Sequence, residues 1–219
     1  MTSRAWKAVL ASAGFGAVVC LSVAAGLSPG RPAGAQTPAV PLRYTVVAER
    51  SEVRYRVREQ LAGLSFPNDA VGTTKAIDGG IALDAQGRVL PGDSRFTMDL
   101  RTLRSDEPRR DNYIRRNTLE TDRYPTVVFA PSELRGLRLP LPPTGTASFE
   151  LVGDLTVRDA TRRATWSATA TFSGEDVSVR AATTFRFGDV GLRIPRVAVV
   201  LSVEDHIRLE ADLLLRRGS

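Results

Sequence analysis

Residues 166–187 read WSATATFSGEDVSVRAATTFRF. Trp166, Ala168, Ala170 and Phe172 alternate with Ser167, Thr169 and Thr171. After the turn residues Ser173-Gly174-Glu175-Asp176 the alternation resumes with Val177, Val179, Ala181, Thr183, Phe185 and Phe187. Period-two sorting of apolar and polar side chains marks half-buried strands, and the short polar, glycine-containing link between them marks a hairpin. The stretch therefore predicts two antiparallel strands with one wet and one dry face.

The same pattern recurs along the chain. Val53, Tyr55 and Val57 oppose Arg54, Arg56 and Arg58. Phe96, Met98 and Leu100 oppose Arg95, Thr97 and Asp99. Ile207, Leu209, Ala211, Leu213 and Leu215 oppose Arg208, Glu210 and Asp212. Turn signals separate these runs at Asp84-Ala85-Gln86-Gly87, Pro91-Gly92-Asp93 and Glu204-Asp205. Gly79-Gly80 interrupts a strand-like stretch, as a bend in a curved sheet requires.

One stretch reads as helical, Asp106 to Glu120. It opens on Asp-Glu-Pro, which suits a helix N-terminus, and Tyr113, Ile114 and Asn117 form its narrow inner stripe. Ser132 to Thr144 reads as a long loop, because the prolines at 140, 142 and 143 exclude it from a central strand. There is no βα alternation, so a parallel sheet is not expected. The fold class is all-β, with eight to ten antiparallel strands and one short helix. Glycine bends inside long strands favour an up-and-down barrel over a sandwich.

Residues 1–35 read differently. Arg4 and Lys7 precede an apolar run from Ala8 to Leu27, then Ser28-Pro29-Gly30, then Ala33-Gly34-Ala35. This order is that of a secretory signal with cleavage near Ala35, so the mature chain is expected in the periplasm or secreted. The rival reading is an uncleaved membrane anchor, since the run is about long enough to span a bilayer. Cys20 does not read as a lipidation site, because Val18-Val19 precede it and apolar sequence continues beyond it. Residues 36–42 form a linker, and 43–216 the domain.

Removing the leader changes the charge. The whole chain carries +6, and residues 1–35 hold Arg4, Lys7 and Arg31 and no acid, so +3 remains. Arginines alternate with acids along the strands rather than clustering, which weakens a nucleic-acid reading, since that needs a clustered basic face. The mature chain has no cysteine and a single histidine, His206, which argues against metal, haem or thiol chemistry. His206 faces away from Ile207 and Leu209, and no serine motif accompanies it, so nucleophilic catalysis has no base held in place. The acid pairs Asp106-Glu107, Glu175-Asp176 and Glu204-Asp205 sit at turns or a helix start, where cap chemistry explains them. No catalytic residue, metal or cofactor is assigned.

Several segments together resemble the YceI family of bacterial lipid-binding proteins. They are Tyr44-x-Val46 with Ser51–Tyr55, Ala70–Thr74 with Gly79-Gly80-Ile81, Arg110–Ile114, Leu119–Thr121, Arg123–Phe129, Gly153–Thr161, Phe187–Gly191 and Val203–Asp205. Their common order spans residues 43–216. The resemblance implies a lipocalin-like barrel with an elongated apolar tunnel, export to the periplasm, and binding of polyisoprenoid-type or quinone-like lipids. It also allows a homodimer. Two departures lie at expected barrel ends: the Arg158-Asp159-Ala160 turn lacks the family's common glycine, and Gly136 to Pro143 is a longer, proline-rich loop.

For the tunnel wall, the same-face apolar residues are Val53, Tyr55, Phe96, Met98, Phe129, Trp166, Phe172, Val179, Phe185, Ile207 and Leu209. Lys75 shares the parity of Val71, Thr73 and Ile77 and is a candidate inward contact for a polar head group. A bulge near Gly79-Gly80 would reset that parity and leave Lys75 outward. Tyr113 is the second polar candidate. The leading expectation is a carrier of an apolar lipid. The rivals are a structural or protein-interaction barrel of the cell envelope with a filled core, and a cofactor-free barrel enzyme using Lys75 or Tyr113.

Overall fold

The structure is a computed structural model that describes residues 41–63, 65–198 and 200–218. The expected signal segment and nearly all of the linker lie outside the described residues. The described residues form one compact unit.

The described residues fold into twelve strand segments: β1 (Leu42–Val46), β2 (Glu52–Leu61), β3 (Asn68–Thr74), β4 (Ile77–Leu83), β5 (Arg95–Asp99), β6 (Arg104–Ser105), β7 (Thr126–Arg135), β8 (Thr144–Val157), β9 (Ala160–Ser173), β10 (Asp176–Phe185), β11 (Val200–Val203) and β12 (Ile207–Arg217). Six of them are halves of longer strands. β1 pairs β4 while β2 pairs β3, and β4 pairs β5 while β3 pairs β6. So β1/β2, β3/β4 and β5/β6 are three interrupted strands, broken at 47–51, 75–76 and 100–103.

With those joined, eight antiparallel strands follow one another around a ring in chain order. β12 closes it, pairing β1 from Val46↔Leu215 to Tyr44↔Arg217 and β2 from Glu52↔Asp212 to Arg56↔Arg208. This is the expected up-and-down barrel with one short helix. β11 adds to the outer end of β2 at Val200↔Leu61.

Local chemistry shapes the breaks. The Ile77 N–H donates to the Lys75 carbonyl at 2.9 Å, a two-residue turn that resets the strand's parity. At 47–51 the Ser51 hydroxyl donates to the Val47 carbonyl at 2.8 Å and accepts from the Leu214 N–H at 3.0 Å, so it replaces the missing ladder bonds. Gly79 carries φ +106, and a Cβ there would lie 2.0 Å from the Arg95 carbonyl oxygen. Only glycine permits both that backbone angle and that approach.

The helix is shorter than expected. α1 spans Pro108–Tyr113, capped by the Glu107 side chain accepting from the Arg109 N–H at 2.9 Å, and continues as one wide turn over Ile114–Thr118. Asp111, Ile114 and Leu119 turn inward, whereas Asn117 is exposed and does not belong to the inner stripe. The proline-rich loop is also shorter. β7 runs on to Arg135 through a bulge between Pro131 and Glu133, because proline is tolerated where a bulge removes the need for its N–H. The loop proper is residues 136–143.

The barrel has two ends. One, the helix end, carries α1 and the Arg158-Asp159 hairpin turn. The other, the loop end, carries residues 136–143 and the Ser173–Asp176 turn. Gly72 lies opposite Tyr55 on β3 and β2, and a Cβ on Gly72 would come within 2.3 Å of the Tyr55 ring. The ring therefore lies flat over the glycine. Gly72→Ala is expected to cost about 1–3 kcal/mol by overpacking. In a double-mutant cycle by urea unfolding, Tyr55→Ala should remove most of that cost, since the coupling resides in this one contact.

Candidate functional site

The barrel interior holds a cavity of about 110 Å³. Its wall combines the expected Val53, Phe96, Met98, Phe129, Trp166, Phe172 and Val179 with Tyr44, Ile77, Ile81, Leu83, Phe149, Leu151, Val177, Leu213 and Leu215, and no charged side chain lines it. The strands supply these residues by simple alternation. Phe129 and Trp166 meet edge to face, ring centroids 5.6 Å apart, the geometry aromatic pairs prefer.

A row of small residues makes the space. Ala168 on β9 lies beside Ala181 on β10, which lies beside Ala211 on β12, which lies beside Val53 on β2. One level nearer the loop end, Ala147 lies beside Ala170 and Ala170 beside Val179. Where neighbouring strands all present methyl groups inward, the opposite wall cannot reach far enough to fill the gap.

The other expected wall residues sit elsewhere. Tyr55 pairs with Leu209, and Phe185 pairs with Ile207, at successive levels nearer the helix end. There they pack into a filled core with Val57, Leu100, Leu103, Leu119, Phe187, Val190 and Leu192. Lys75 is exposed, on the turn between β3 and β4, and touches no part of the cavity. The reason is parity. In β3 the inward residues are Ala70, Gly72 and Thr74, and the two-residue turn brings Ile77 inward without Lys75. Tyr113 is half-buried on α1, at the end away from the cavity. His206 is exposed, as its alternation with Ile207 predicts.

Polar groups concentrate at the helix end. Glu59 is buried on the inner face of β2 and accepts from Arg110 at 2.8 Å, while Arg110 also donates to Asp106 at 2.6 Å. Asp111, also buried, accepts from the Ser105 N–H at 2.9 Å and from its hydroxyl at 2.7 Å. Arg158 has φ +56 in the hairpin turn, a conformation unfavourable for a side chain other than glycine. It offsets that cost by pairing with Glu120 at 2.7 Å, donating to the Thr118 carbonyl at 3.2 Å and stacking over Tyr124. The turn is thus held by an arginine clamp on the segment after α1. Paired arginines explain why the remaining basicity does not form a free cationic face: on the outer wall Arg54 meets Glu52, Glu210 and Asp212, and Arg56 meets Asp69 and Glu210.

Among the described residues, no group of three or more His, Cys, Asp or Glu side chains is placed to hold a metal ion. No described helix is long and apolar enough to cross a membrane. The residues that sequence reasoning missed are of two kinds. Leu213, Leu215 and Val177 were legible in the same alternations. Leu134, Leu137 and Leu141 were not, because they lie at or beyond a bulge or in a loop without periodicity.

A family profile described as the YceI-like domain matches residues 44–215. The chain belongs to this family. A UPF0312 protein of Pseudomonas putida is 29% identical over 133 residues, which cover 57% of this chain and 64% of that relative. The chain thus spans less than two thirds of the length of the curated relatives it matches. Among solved structures, a polyisoprenoid binding domain from Saccharophagus degradans superposes with TM-score 0.64 at 12% identity, covering 81% of this chain and 99% of that one. BcnA of Burkholderia cenocepacia superposes with TM-score 0.56 at 14% identity, covering 77% and 98%. The YceI protein of Campylobacter jejuni gives 0.57 at 14%, covering 73% and 91%. At these identities the likeness concerns the YceI barrel itself.

Tyr55 gives a test of the filled end. Its hydroxyl is buried without a hydrogen-bond partner. Burial pushes it well above the usual phenol range, and the nearby Arg110 opposes that shift without cancelling it. The folded state therefore holds the Tyr55 proton where the unfolded chain, with an ordinary phenol near pH 10, releases it. Stability tied to this group is fully present below about pH 10 and is lost as pH rises further. Tyr55→Phe should flatten that alkaline loss in urea titrations. At neutral pH it should raise stability by about 1 kcal/mol, since an unpaired buried hydroxyl is removed.

Proposed function

We propose that the protein is a carrier for an apolar lipid of the polyisoprenoid type, held in the barrel interior, and that it binds rather than transforms its ligand. The observation that carries this reading is the cavity: it is enclosed by a continuous hydrogen-bonded wall and lined by apolar side chains with no charge among them. Ligand pockets owe most of their affinity to such surface, at about 25 cal/mol per Å2 of apolar area removed from water. A hydrocarbon chain needs no polar anchor to bind there. The solved Saccharophagus degradans relative, described as a polyisoprenoid binding domain, has the same barrel and supports the ligand class.

The reading extends to location. Residues 1–35 have the charge, apolar run and small-residue site of a secretory signal. A carrier of a membrane-derived lipid is useful where that lipid must cross an aqueous space, and the periplasm is such a space.

Two measurements test this. Intact mass and N-terminal sequencing of protein recovered from the periplasm of a Gram-negative host should show a chain beginning at Gln36. Recovery of the full-length chain in the membrane fraction would replace export with anchoring. Native mass spectrometry of the same material, with solvent extraction, should reveal a bound molecule whose homologues differ by isoprene mass units. Apoprotein that also refuses added prenols would refute the carrier reading and favour a filled barrel that binds a protein partner.

A further inference from the structure

The cavity is bounded in different ways at its two ends. Toward the helix end it stops against side chains of the sheet, the Tyr55–Leu209 level and then the Phe185–Ile207 level, beyond which Glu59 of β2 pairs with Arg110 of α1. Tyr55, Leu209, Phe185 and Ile207 all sit on paired strands, so none of them moves without unpacking a strand. Toward the loop end it stops against Leu134, Leu137 and Leu141, and the last two lie on the loop 136–143.

That loop is outside the strand ladder. Pairing of β7 with β8 ends at Arg135↔Glu150, and pairing of β8 with β9 begins at Thr144↔Ser173. Pro140, Pro142 and Pro143 offer no N–H. One backbone bond, from the Gly174 N–H to the Pro143 carbonyl at 3.0 Å, ties the end of the loop, and side chains hold the rest. Leu137 and Leu141 face the cavity, while Leu139 lies against Gly87, where a Cβ would come within 2.3 Å of its methyl carbon.

Size makes this arrangement consequential. About 110 Å³ is less than the roughly 150 Å³ of an apolar cavity that accepts a benzene, and well below the roughly 300–1,000 Å³ of pockets for larger ligands. With Leu137 and Leu141 in place, the space suits little more than the end of a prenyl chain. Any longer ligand has to displace these two leucines.

We propose that Leu137 and Leu141 are the determinants of ligand length: a displaceable stop at the loop end that sets how many isoprene units lie inside the wall and past which a longer chain leaves the barrel. The proposal rests on the carrier reading. It assigns to the proline-rich loop the choice among members of one ligand class.

The test uses exported protein beginning at Gln36, in which the Trp166 indole on the cavity wall is the sole tryptophan reporter. Dissociation constants for geraniol, farnesol and geranylgeraniol are read from its fluorescence. In Leu137→Ala/Leu141→Ala the affinity ratio of geranylgeraniol to geraniol should rise at least tenfold over the parent. The milder Leu141→Val should move it the same way by less, which guards against a general loss of folding in the double variant. Leu201→Ala, exposed on β11 beyond the helix end, should leave the ratio unchanged. Prenols that bind with a ratio within twofold of the parent in both loop variants would overturn the stop while sparing the carrier. A shift of equal size in Leu201→Ala would overturn it as well. Failure of the parent to bind any prenol would refute the carrier reading, and the stop with it.

Discussion

The pairing of β1 and β2 with β12 is the constraint on which everything else in this molecule depends. A sheet of this length leaves two edges of unsatisfied backbone unless it closes. Here the last strand takes both halves of the first, Tyr44 to Val46 at one end and Glu52 to Arg56 at the other. Closure is achieved by breaking three strands rather than by bending them smoothly. Each break has its own chemistry: the Ser51 hydroxyl, the Lys75–Ile77 turn, and the Leu100–Thr102 turn, in which the Asp99 carboxylate accepts from the Arg101 N–H.

Closure then creates an inside that must be filled or left open, and the two halves of the barrel resolve this in opposite ways. The helix half is packed with large side chains and roofed by α1, whose polar face is anchored through Arg110 to a buried glutamate. Removing one partner of such a pair leaves an uncompensated buried charge, so the pair holds the roof in register more than it adds net stability. The loop half presents alanines from three adjoining strands and keeps a gap. One end of the barrel is therefore a structural stop, and the other is bounded by a loop.

This division also accounts for the charge pattern. Arginine supplies nearly all the cations of the domain, and several wall arginines lie within reach of a carboxylate on the neighbouring strand. Exposed pairs of this kind contribute little stability individually, but they fix which face of each strand points outward. A one-residue slip in register would carry the arginines into the apolar interior.

Alternation of apolar and polar residues is a local property. The sequence by itself therefore determined the strands, their inner faces and the all-β class, and the ordered motifs determined the family. It also revealed part of the wall, because Val53, Phe96, Met98, Phe129, Trp166, Phe172 and Val179 follow directly from parity. It did not separate wall from core. Tyr55, Leu209, Phe185 and Ile207 share that parity, and only the register across β9, β10, β12 and β2 shows that they lie at the packed levels. Lys75 was ambiguous for a related reason: a two-residue turn resets parity without leaving a composition signal. The leucines at 137 and 141 belong to a loop with no period, so only the tertiary structure could bring them to the cavity. Which inward side chains enclose space depends on what distant strands place opposite them, and that is decided by register and closure, which no local pattern encodes.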